Sequence, residues 1–171
     1  MIILDSSAFF SMDALPDGDH ACPPGVIREL EKHEDPRLSL WEGMINVVDC
    51  SKESLTAVDE AAERTGDGGR LSPVDRTVLA LALDLKGEIW SDDYSIQNVA
   101  ASMGIAFRPI GMKGIKKVFR WGYRCVGCGK RYEKNMPDCP ICGSALKPYK
   151  AKKRSGEEAL AADELVEPAL P

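Results

Sequence analysis

The sequence predicts an α/β protein whose parallel sheet carries helices on both faces, followed by a small cysteine-bearing ribbon. Over the first 110 residues, short apolar runs alternate with helix-like segments, which is typical of a parallel sheet. Four of the six cysteines lie between residues 125 and 142. Residues 1–107 contain 8 Lys or Arg and 20 Asp or Glu, whereas residues 108–154 contain 14 Lys or Arg and 2 Asp or Glu. We therefore expect the two parts to have different functions, the basic one facing a polyanion.

The apolar pattern places each element of the predicted sheet. Strands are predicted at residues 1–4, 45–50, 88–91 and 105–109, and helices at 6–12, 25–33, 54–64, 74–85 and 94–103. Ser72, Pro73 and Asp75 make the clearest helix start, with a cap residue, a proline in the first turn and an acid at the third position. Because ligands bind beyond the carboxyl ends of parallel strands, functional side chains are expected at that edge.

Changes in composition divide the chain into four stretches. We predict an N-terminal part at residues 1–110, a linker at 111–118, a ribbon at 119–150, and a basic-then-acidic tail at 151–171 that is disordered. No apolar run is long enough to span a bilayer, and the opening run is too short for a signal peptide. The expectation is a soluble, cytoplasmic protein.

Two copies of the motif C-x-x-C-G predict a metal centre in the ribbon. Two residues between thiolates let both sulfurs reach one tetrahedral Zn²⁺, and the following glycine can adopt a positive φ. Disulfides or a redox dithiol are the alternatives, which an intracellular chain with a duplicated motif makes less favourable. Four thiolates leave no open position, so one structural Zn²⁺ is expected. The ligands would be Cys125, Cys128, Cys139 and Cys142.

Basic side chains interleaved with aromatic rings surround these cysteines. Charges for phosphates beside rings for stacking are typical of proteins that bind looped or single-stranded RNA. The alternative is that the rings fill the small core of the ribbon while the lysines are simply solvated. The residues predicted to contact RNA are Lys116, Lys117, Arg120, Arg124, Lys130, Arg131 and Lys134.

Carboxylates recur in the N-terminal part where predicted strands end or helices begin. Each has an ordinary alternative as a helix cap or a solvated residue. Together they suggest a site for Mg²⁺ or Mn²⁺, which prefer oxygen ligands and offset carboxylate repulsion. His20 and His33 lie away from these positions, so histidine acid–base catalysis has little support. The acidic candidates are Asp5, Glu29, Asp75, Asp92 and Asp93.

The motifs around these acids resemble those of PIN-domain ribonucleases. LDSSAFF, VIREL, LSPVDRTVLALAL and SDDYSIQNVA follow in the order of that family. DDYSIQNVA followed directly by a four-cysteine ribbon is similar to the Nob family of ribosome-assembly endonucleases, in its compact archaeal form. The resemblance covers about residues 1–150, and Ser91 departs from it mildly because relatives often have Thr there.

The resemblance implies a PIN-like fold and a metal-dependent endoribonuclease. One or two Mn²⁺ or Mg²⁺ ions would be held by Asp5, Glu29, Asp75 and Asp93, with Asp92 the competing candidate for the fourth position. The reaction would be cleavage of precursor small-subunit rRNA at its mature 3′ end, and the partner the pre-ribosomal particle. Ser6 or Ser7 is placed to hydrogen-bond a metal-bound water or a ligand carboxylate.

Three other functions remain compatible with the residues alone. The protein could be a non-catalytic assembly factor that holds rRNA through its ribbon, or a PIN ribonuclease acting on another RNA. It could also be a phosphatase or phosphorelay receiver with Asp5 as nucleophile. That third function would require an acid two residues later, where this chain has Ser7.

Overall fold

The computed structural model describes residues 1–41 and 43–151, so the predicted tail from residue 152 onward lies outside the described residues. Five parallel strands form one sheet in the order β3-β2-β1-β4-β5. They are β1 (Ile2–Leu4), β2 (His20–Cys22), β3 (Asn46–Val47), β4 (Glu88–Trp90) and β5 (Phe107–Arg108). The predicted parallel α/β sheet is confirmed.

Six helices in the described part of the chain connect and cover this sheet. They are α1 (Ser6–Ser11), α2 (Pro24–Lys32), α3 (Leu38–Trp41), α4 (Lys52–Thr65), α5 (Pro73–Leu85) and α6 (Tyr94–Met103). The capping box predicted before α5 is present, since Ser72 and Asp75 exchange side chain to backbone hydrogen bonds. None of these helices is long and apolar enough to cross a membrane.

The strand order places a topological switch point between β1 and β4. From β1 the chain moves outward through β2 to β3, then returns to the other side of β1 as β4 and β5. Because such crossovers are right-handed, the helices of the two halves cover opposite faces of the sheet. Ile3, Leu4 and Ile89 are fully buried between these layers. The carboxyl ends of β1 and β4 therefore border the crevice where α/β sheets bind ligands.

Two elements escape prediction from the sequence. β2 is a buried strand of three residues, too short to show a period, and it forms because it pairs with β1 on one side and β3 on the other. α3 is a single turn of four residues. The strand predicted at 45–50 shrinks to Asn46–Val47 because only that stretch pairs with β2. His20 begins β2, at the opposite edge of the sheet from the carboxyl ends.

The ribbon is a separate antiparallel sheet of three strands. β6 (Trp121–Cys125) lies between β7 (Arg131–Tyr132) and β8 (Leu146–Lys150). β6 pairs with β7 at Tyr123–Tyr132 and with β8 along its full length. Cys125 ends β6, and the other three cysteines lie in the turns after β6 and before β8, which brings the two motifs to one end of the sheet.

Candidate active site and metal centre

Asp5 follows β1 directly and is almost completely buried, with an exposed fraction of 2%. Burial raises the pKa of this carboxyl group above its usual value, and hydrogen bonds from Ser7 and Ser91 oppose the increase. Its backbone N–H also donates to the Trp90 carbonyl at 3.3 Å, which joins the ends of β1 and β4. Asp5 thus lies at the switch point, as the sequence predicts for a functional acid.

Two serine hydroxyls hold the Asp5 carboxylate against the loop after β4. Ser7 Oγ donates to Asp5 Oδ2 at 2.6 Å, and Ser91 Oγ donates to the same oxygen at 2.8 Å. Each hydroxyl also accepts a backbone N–H, that of Asp92 for Ser7 and that of Asp93 for Ser91. Of the two serines considered from the sequence, Ser7 makes the short contact, and the role of Ser91 was not foreseen.

Asp75 combines a capping role with a place near the other acids. Its Oδ2 accepts the Ser72 backbone N–H at 2.7 Å, completing the capping box. Burial raises its pKa to about 6, and the charges of Asp5 and Asp93 add to the increase. Within the described part of the chain, no hydrogen bond occupies Asp75 Oδ1. The cap interpretation and the metal-ligand interpretation are therefore compatible, because they use different oxygens.

Asp92 and Asp93 engage different partners. Asp93 is the N-cap of α6, and its Oδ1 accepts the backbone N–H groups of Ser95 and Ile96 at 2.6 and 3.1 Å. Both oxygens of Asp92 are occupied, by three consecutive backbone N–H groups at residues 110–112 and by Ser11 Oγ. Burial opposes ionisation of Asp92, but these backbone and hydroxyl donors lower its pKa overall. Asp93 keeps Oδ2 clear of hydrogen bonds from the described residues, whereas Asp92 does not.

Glu29 lies on α2 and is half-buried. It follows Gly25 by one helical turn, so the two residues share a face of α2. A methyl group at Gly25 would lie 3.0 Å from Val74 Cγ2, which shows how closely this face packs on the start of α5 beside Asp75. No hydrogen bond or ion pair within the described residues holds the Glu29 carboxylate.

Three of the predicted acids thus share one arrangement. Asp5, Asp75 and Asp93 each use one carboxylate oxygen to hold the fold, and the second oxygen has at most a 3.4 Å contact, from Ser6 Oγ to Asp5 Oδ1. Oxygen donors of this kind suit Mg²⁺ or Mn²⁺. Across residues 1–41 and 43–151, no set of three acids brings its ligand oxygens within 4.8 Å of one another. Carboxylates repel each other, and a cation is what lets them approach more closely.

The four ribbon cysteines form a compact thiol cluster. All their sulfurs lie within 4.8 Å of one another, and none forms a disulfide. The Cys125 and Cys142 sulfurs are 3.3 Å apart, and those of Cys128 and Cys139 are 3.6 Å apart. The glycines after the motifs, Gly129 and Gly143, both have positive φ as expected. A set of four sulfur donors at this spacing suits a closed tetrahedral zinc site.

A tyrosine supports one of these thiols. Tyr132 Oη lies 3.0 Å from Cys139 Sγ. Hydrogen bonding by this hydroxyl is the main cause that lowers the pKa of Cys139 to about 6. The backbone N–H of Cys128 also donates to Cys125 Sγ at 3.4 Å. The Tyr132 contact favours the thiolate form of Cys139, which is the form that binds a metal.

A buried polar cluster joins the N-terminal part to the start of the ribbon. Asn98 on α6 holds the backbone of Phe119 at both groups, accepting its N–H at 2.6 Å and donating to its carbonyl at 2.8 Å. The same Asn98 amide donates to Asp67 Oδ2 at 2.6 Å. Asp67 is fully buried, which raises its pKa. Neither Asp67 nor Asn98 was singled out from the sequence, although a Gln-Asn pair within an otherwise apolar helix was a usable signal.

Aromatic side chains of β6 reinforce this joint. The Arg70 guanidinium lies 4.4 Å from the centre of the Trp121 ring, and Tyr123 Oη donates to the Gly66 carbonyl at 2.9 Å. Gly66 has a φ of 81°, and any side chain there would meet the Trp121 carbonyl oxygen. The N-terminal part and the ribbon are consequently in direct, well-packed contact.

The basic side chains around the ribbon differ in their surroundings. Lys116 and Lys117 are exposed on the linker, and Arg124 and Lys130 are exposed on the ribbon. Lys134 lies 3.6 Å from Glu63 and belongs to the contact with the N-terminal part. Arg131 and Lys150 lie over the rings of Tyr149 and Phe119. The rings are thus engaged within the protein, and exposed positive charge is the stronger argument for an RNA-binding surface.

Comparisons with known proteins agree with this arrangement. A family model described as the PIN domain of ribonuclease matches residues 2–85. Endoribonuclease Nob1 of Pyrococcus abyssi is 42% identical over 159 residues, covering 90% of this chain and 96% of that relative. The chain belongs to the Nob1 family of endoribonucleases. The phosphatase alternative is thereby excluded.

Further relatives of the chain include another Nob1 protein and a ribonuclease with a different name. Endoribonuclease Nob1 of Archaeoglobus fulgidus is also 42% identical, over 83% of this chain and 86% of its own length. Ribonuclease VapC1 of Thermoplasma acidophilum is 39% identical, over 90% of this chain and 80% of its own length. The matched stretches extend well beyond the PIN-domain match at residues 2–85, and the chain is therefore a relative of ribonucleases over most of its length.

Proposed function

We propose that this Nob1-family endoribonuclease cleaves precursor small-subunit rRNA to form its mature 3′ end. The observation that carries the proposal is the arrangement of Asp5, Asp75 and Asp93 beside the β1–β4 switch point, each with one oxygen left for a cation. The mutual charge that raises the pKa of Asp75 is the second support, because a divalent cation would relieve it.

One or two Mn²⁺ or Mg²⁺ ions would be held by Asp5, Asp75 and Asp93, with Glu29 as the fourth ligand. Glu29 lies on the face of α2 that packs toward Asp75, and no partner among the described residues competes for its carboxylate. The chemistry that such a cation supplies is activation of water and neutralisation of phosphate charge. We assign the position after β4 to Asp93 rather than Asp92, because both Asp92 oxygens already accept backbone hydrogen bonds.

The side chains around the acids have positioning roles in this proposal. Ser7 and Ser91 fix the direction of the Asp5 carboxylate by donating to its Oδ2, while Oδ1 has a 3.4 Å contact with Ser6 Oγ. The start of α6 fixes Asp93 in the same way through two backbone N–H groups. Ligands held this firmly lose little entropy when a metal or a phosphate binds.

RNA affinity would come mainly from the linker and ribbon. One structural Zn²⁺ on the four cysteines would stabilise the ribbon, which is too small to fold on apolar burial alone. Its exposed lysines and arginines would contact phosphates, and the acidic N-terminal part would contribute the cleavage site. Since that acidic surface repels RNA, cleavage depends on both the cation and the ribbon. The pre-ribosomal particle, and hence the cytoplasm, is the place where this substrate occurs.

A second candidate function is cleavage of a different RNA by the same site. This candidate is supported by the 39% identity, over 90% of this chain, to a relative that is named Ribonuclease VapC1 and not Nob1. This second function would use the same acids and the same mechanism, and it would differ from the first only in the RNA that the basic surface selects.

The deciding experiment is incubation of the full chain with a precursor rRNA that extends past the mature 3′ end. With Mn²⁺ present, we expect one new 3′ end at the mature position, and none with EDTA or with Asp5→Asn. Cleavage at scattered sites, or equal cleavage of unrelated single-stranded RNA, would support the second candidate. No cleavage of any RNA under conditions where the zinc-loaded protein is folded would contradict both.

A further inference from the structure

A fully buried glutamine connects the linker with the loop that carries the proposed active site. Gln97 on α6 has an exposed fraction of 0%, which is uncommon for a polar side chain of this size. Its Nε2 donates to the Ser91 carbonyl at 2.9 Å, and its Oε1 accepts the backbone N–H of Ile115 at 3.0 Å. The amide therefore bridges the residue after β4 and a linker residue, and both ends of the bridge are buried.

The active-site end of this bridge leads directly to the carboxylates. Ser91 is itself fully buried, and its hydroxyl donates to Asp5 Oδ2 while accepting the backbone N–H of Asp93. Gln97 fixes the carbonyl of the same residue. Ser91 is thus held through its hydroxyl, through its carbonyl and through its N–H, which donates to the Arg108 carbonyl at 3.2 Å. A rotation of its peptide group would move its contacts with both Asp5 and Asp93.

The linker end is held at more than one point as well. Asp92 accepts the N–H groups of residues 110–112, and Asn98 holds both backbone groups of Phe119. Ile115 lies between these anchors and is itself buried, at 8% exposure. Among the three anchors, Gln97 is the one whose second hydrogen bond goes to Ser91. A displacement of the linker near Ile115 therefore reaches the Ser91 carbonyl through the Gln97 side chain, whereas a displacement near residues 110–112 reaches the same loop through Asp92.

We propose that Gln97 is a positioning residue that couples the seating of the linker to the geometry of Asp5 and Asp93. The linker, residues 111–118, then docks on the N-terminal part at the same time as the Asp5 and Asp93 carboxylates become aligned. RNA bound to the ribbon would favour the aligned state by keeping the linker in place. The inference rests on the proposed role of the carboxylates, but it concerns a residue with no place among the metal ligands.

The test is Gln97→Met in the full chain, because methionine has nearly the same size and lacks both hydrogen-bonding groups. In the metal-free protein, we expect faster hydrogen exchange at two backbone amides, those of Ile115 and Asp93. With Mn²⁺, kcat should fall roughly 10- to 100-fold, the scale of a misplacement by an ångström, while KM for RNA changes little. Ser102→Ala is the matched control, since Ser102 lies on the same helix and, among the described residues, its hydroxyl bonds only the Val99 carbonyl. It should leave both readouts unchanged.

Gln97→Glu is the second variant, in case Gln97→Met does not fold. At alkaline pH the ionised carboxylate keeps an acceptor for Ile115 but cannot donate to the Ser91 carbonyl. The Asp93 amide should then exchange faster while Ile115 stays protected, and kcat should fall again. Unchanged kcat and unchanged exchange at Asp93 in either folded variant would overturn the coupling. The wild-type chain separates the two proposals, because failure of the wild type to cleave refutes the proposed function instead.

Discussion

Asp92 and Asp93 are adjacent, yet their carboxylates point at different parts of the protein. Asp92 binds the backbone of residues 110–112, whereas Asp93 caps α6 with one oxygen and keeps the other clear of the described residues. One residue therefore holds the linker, and its neighbour remains available to a cation. The sequence leaves open whether Asp92 or Asp93 is the metal ligand, and this difference in hydrogen bonding predicts different effects when each residue is replaced.

Replacing each acid with Asn should separate these roles. Asp93→Asn keeps the helix cap, since Asn caps about as well as Asp, but removes charge from the site. Mn²⁺-dependent cleavage should fall by about two orders of magnitude or more, with folding unchanged or slightly stabilised as repulsion with Asp75 is relieved. Asp92→Asn should lower the melting temperature and reduce cleavage by less than about tenfold. A fully active Asp93→Asn protein would refute the assignment of that residue as a ligand.

The raised pKa of Asp75 predicts an unusual pH dependence of stability. Its pKa is about 6 in the folded protein and near 3.8 when unfolded, so the folded state binds the proton more tightly between these values. The free energy of unfolding of metal-free protein should therefore decrease as the pH rises from about 4 to 6. Urea unfolding at several pH values measures this, with Asp75→Asn as comparison. Asp35 has a lowered pKa of about 2, so its effect falls below this window.

Addition of Mn²⁺ provides the matching test in the same experiment. If the cation binds the ionised Asp75, it should restore stability near neutral pH and have much less effect near pH 4, because the protonated Asp75 carboxyl group does not bind it. A stability curve with the same shape in the presence and absence of Mn²⁺ would argue against a metal site that includes Asp75.

Zinc should be essential for the ribbon. Elemental analysis of the purified full chain is expected to give one Zn²⁺, and strong chelators should unfold residues 119–150. Because Trp121 lies against Arg70, its fluorescence should change when the ribbon unfolds. Cys125→Ser should lose the ion, whereas Cys50→Ser, half-buried in the N-terminal part, should retain it. A ribbon that keeps its NMR spectrum in Cys125→Ser would contradict a structural zinc site.

Exposed lysines of the linker should determine the salt dependence of RNA binding. Replacing Lys116 and Lys117 together with Gln should reduce the slope of log affinity against log salt by about 0.7 to 0.9 for each phosphate that the protein no longer neutralises. Lys32 and Lys52, exposed on α2 and α4, form the control pair, and their replacement should leave the slope unchanged. Equal slopes in the two double variants would show that the linker does not contact phosphates.

Several features could be predicted because their cause is local. The cysteine motifs bring two sulfurs together within four residues, and the Ser72–Asp75 capping box forms within one helical turn. The bounds predicted for α6 coincide with those observed because an N-cap and a left-handed glycine delimit it. The position of Asp5 at the end of β1 was predictable because Asp5 ends an apolar run at the start of the chain.

The tertiary structure alone decided which of these groups meet. Ser91 and Asp5 are 86 residues apart, and their contact exists only because β4 pairs with β1. The strand β2 is too short to show a period and forms through its pairing with β1. The Gln-Asn pair in α6 indicates buried polar side chains, but it does not indicate their partners, which come from distant elements. Short-range spacing governs capping and thiol geometry, whereas the pairing of distant hydrogen-bonding groups follows from strand order and burial. The sequence by itself thus determined which ligand and donor groups the chain carries. The packed fold determined which carboxylate keeps an oxygen clear of hydrogen bonds from the described residues and which one holds the linker.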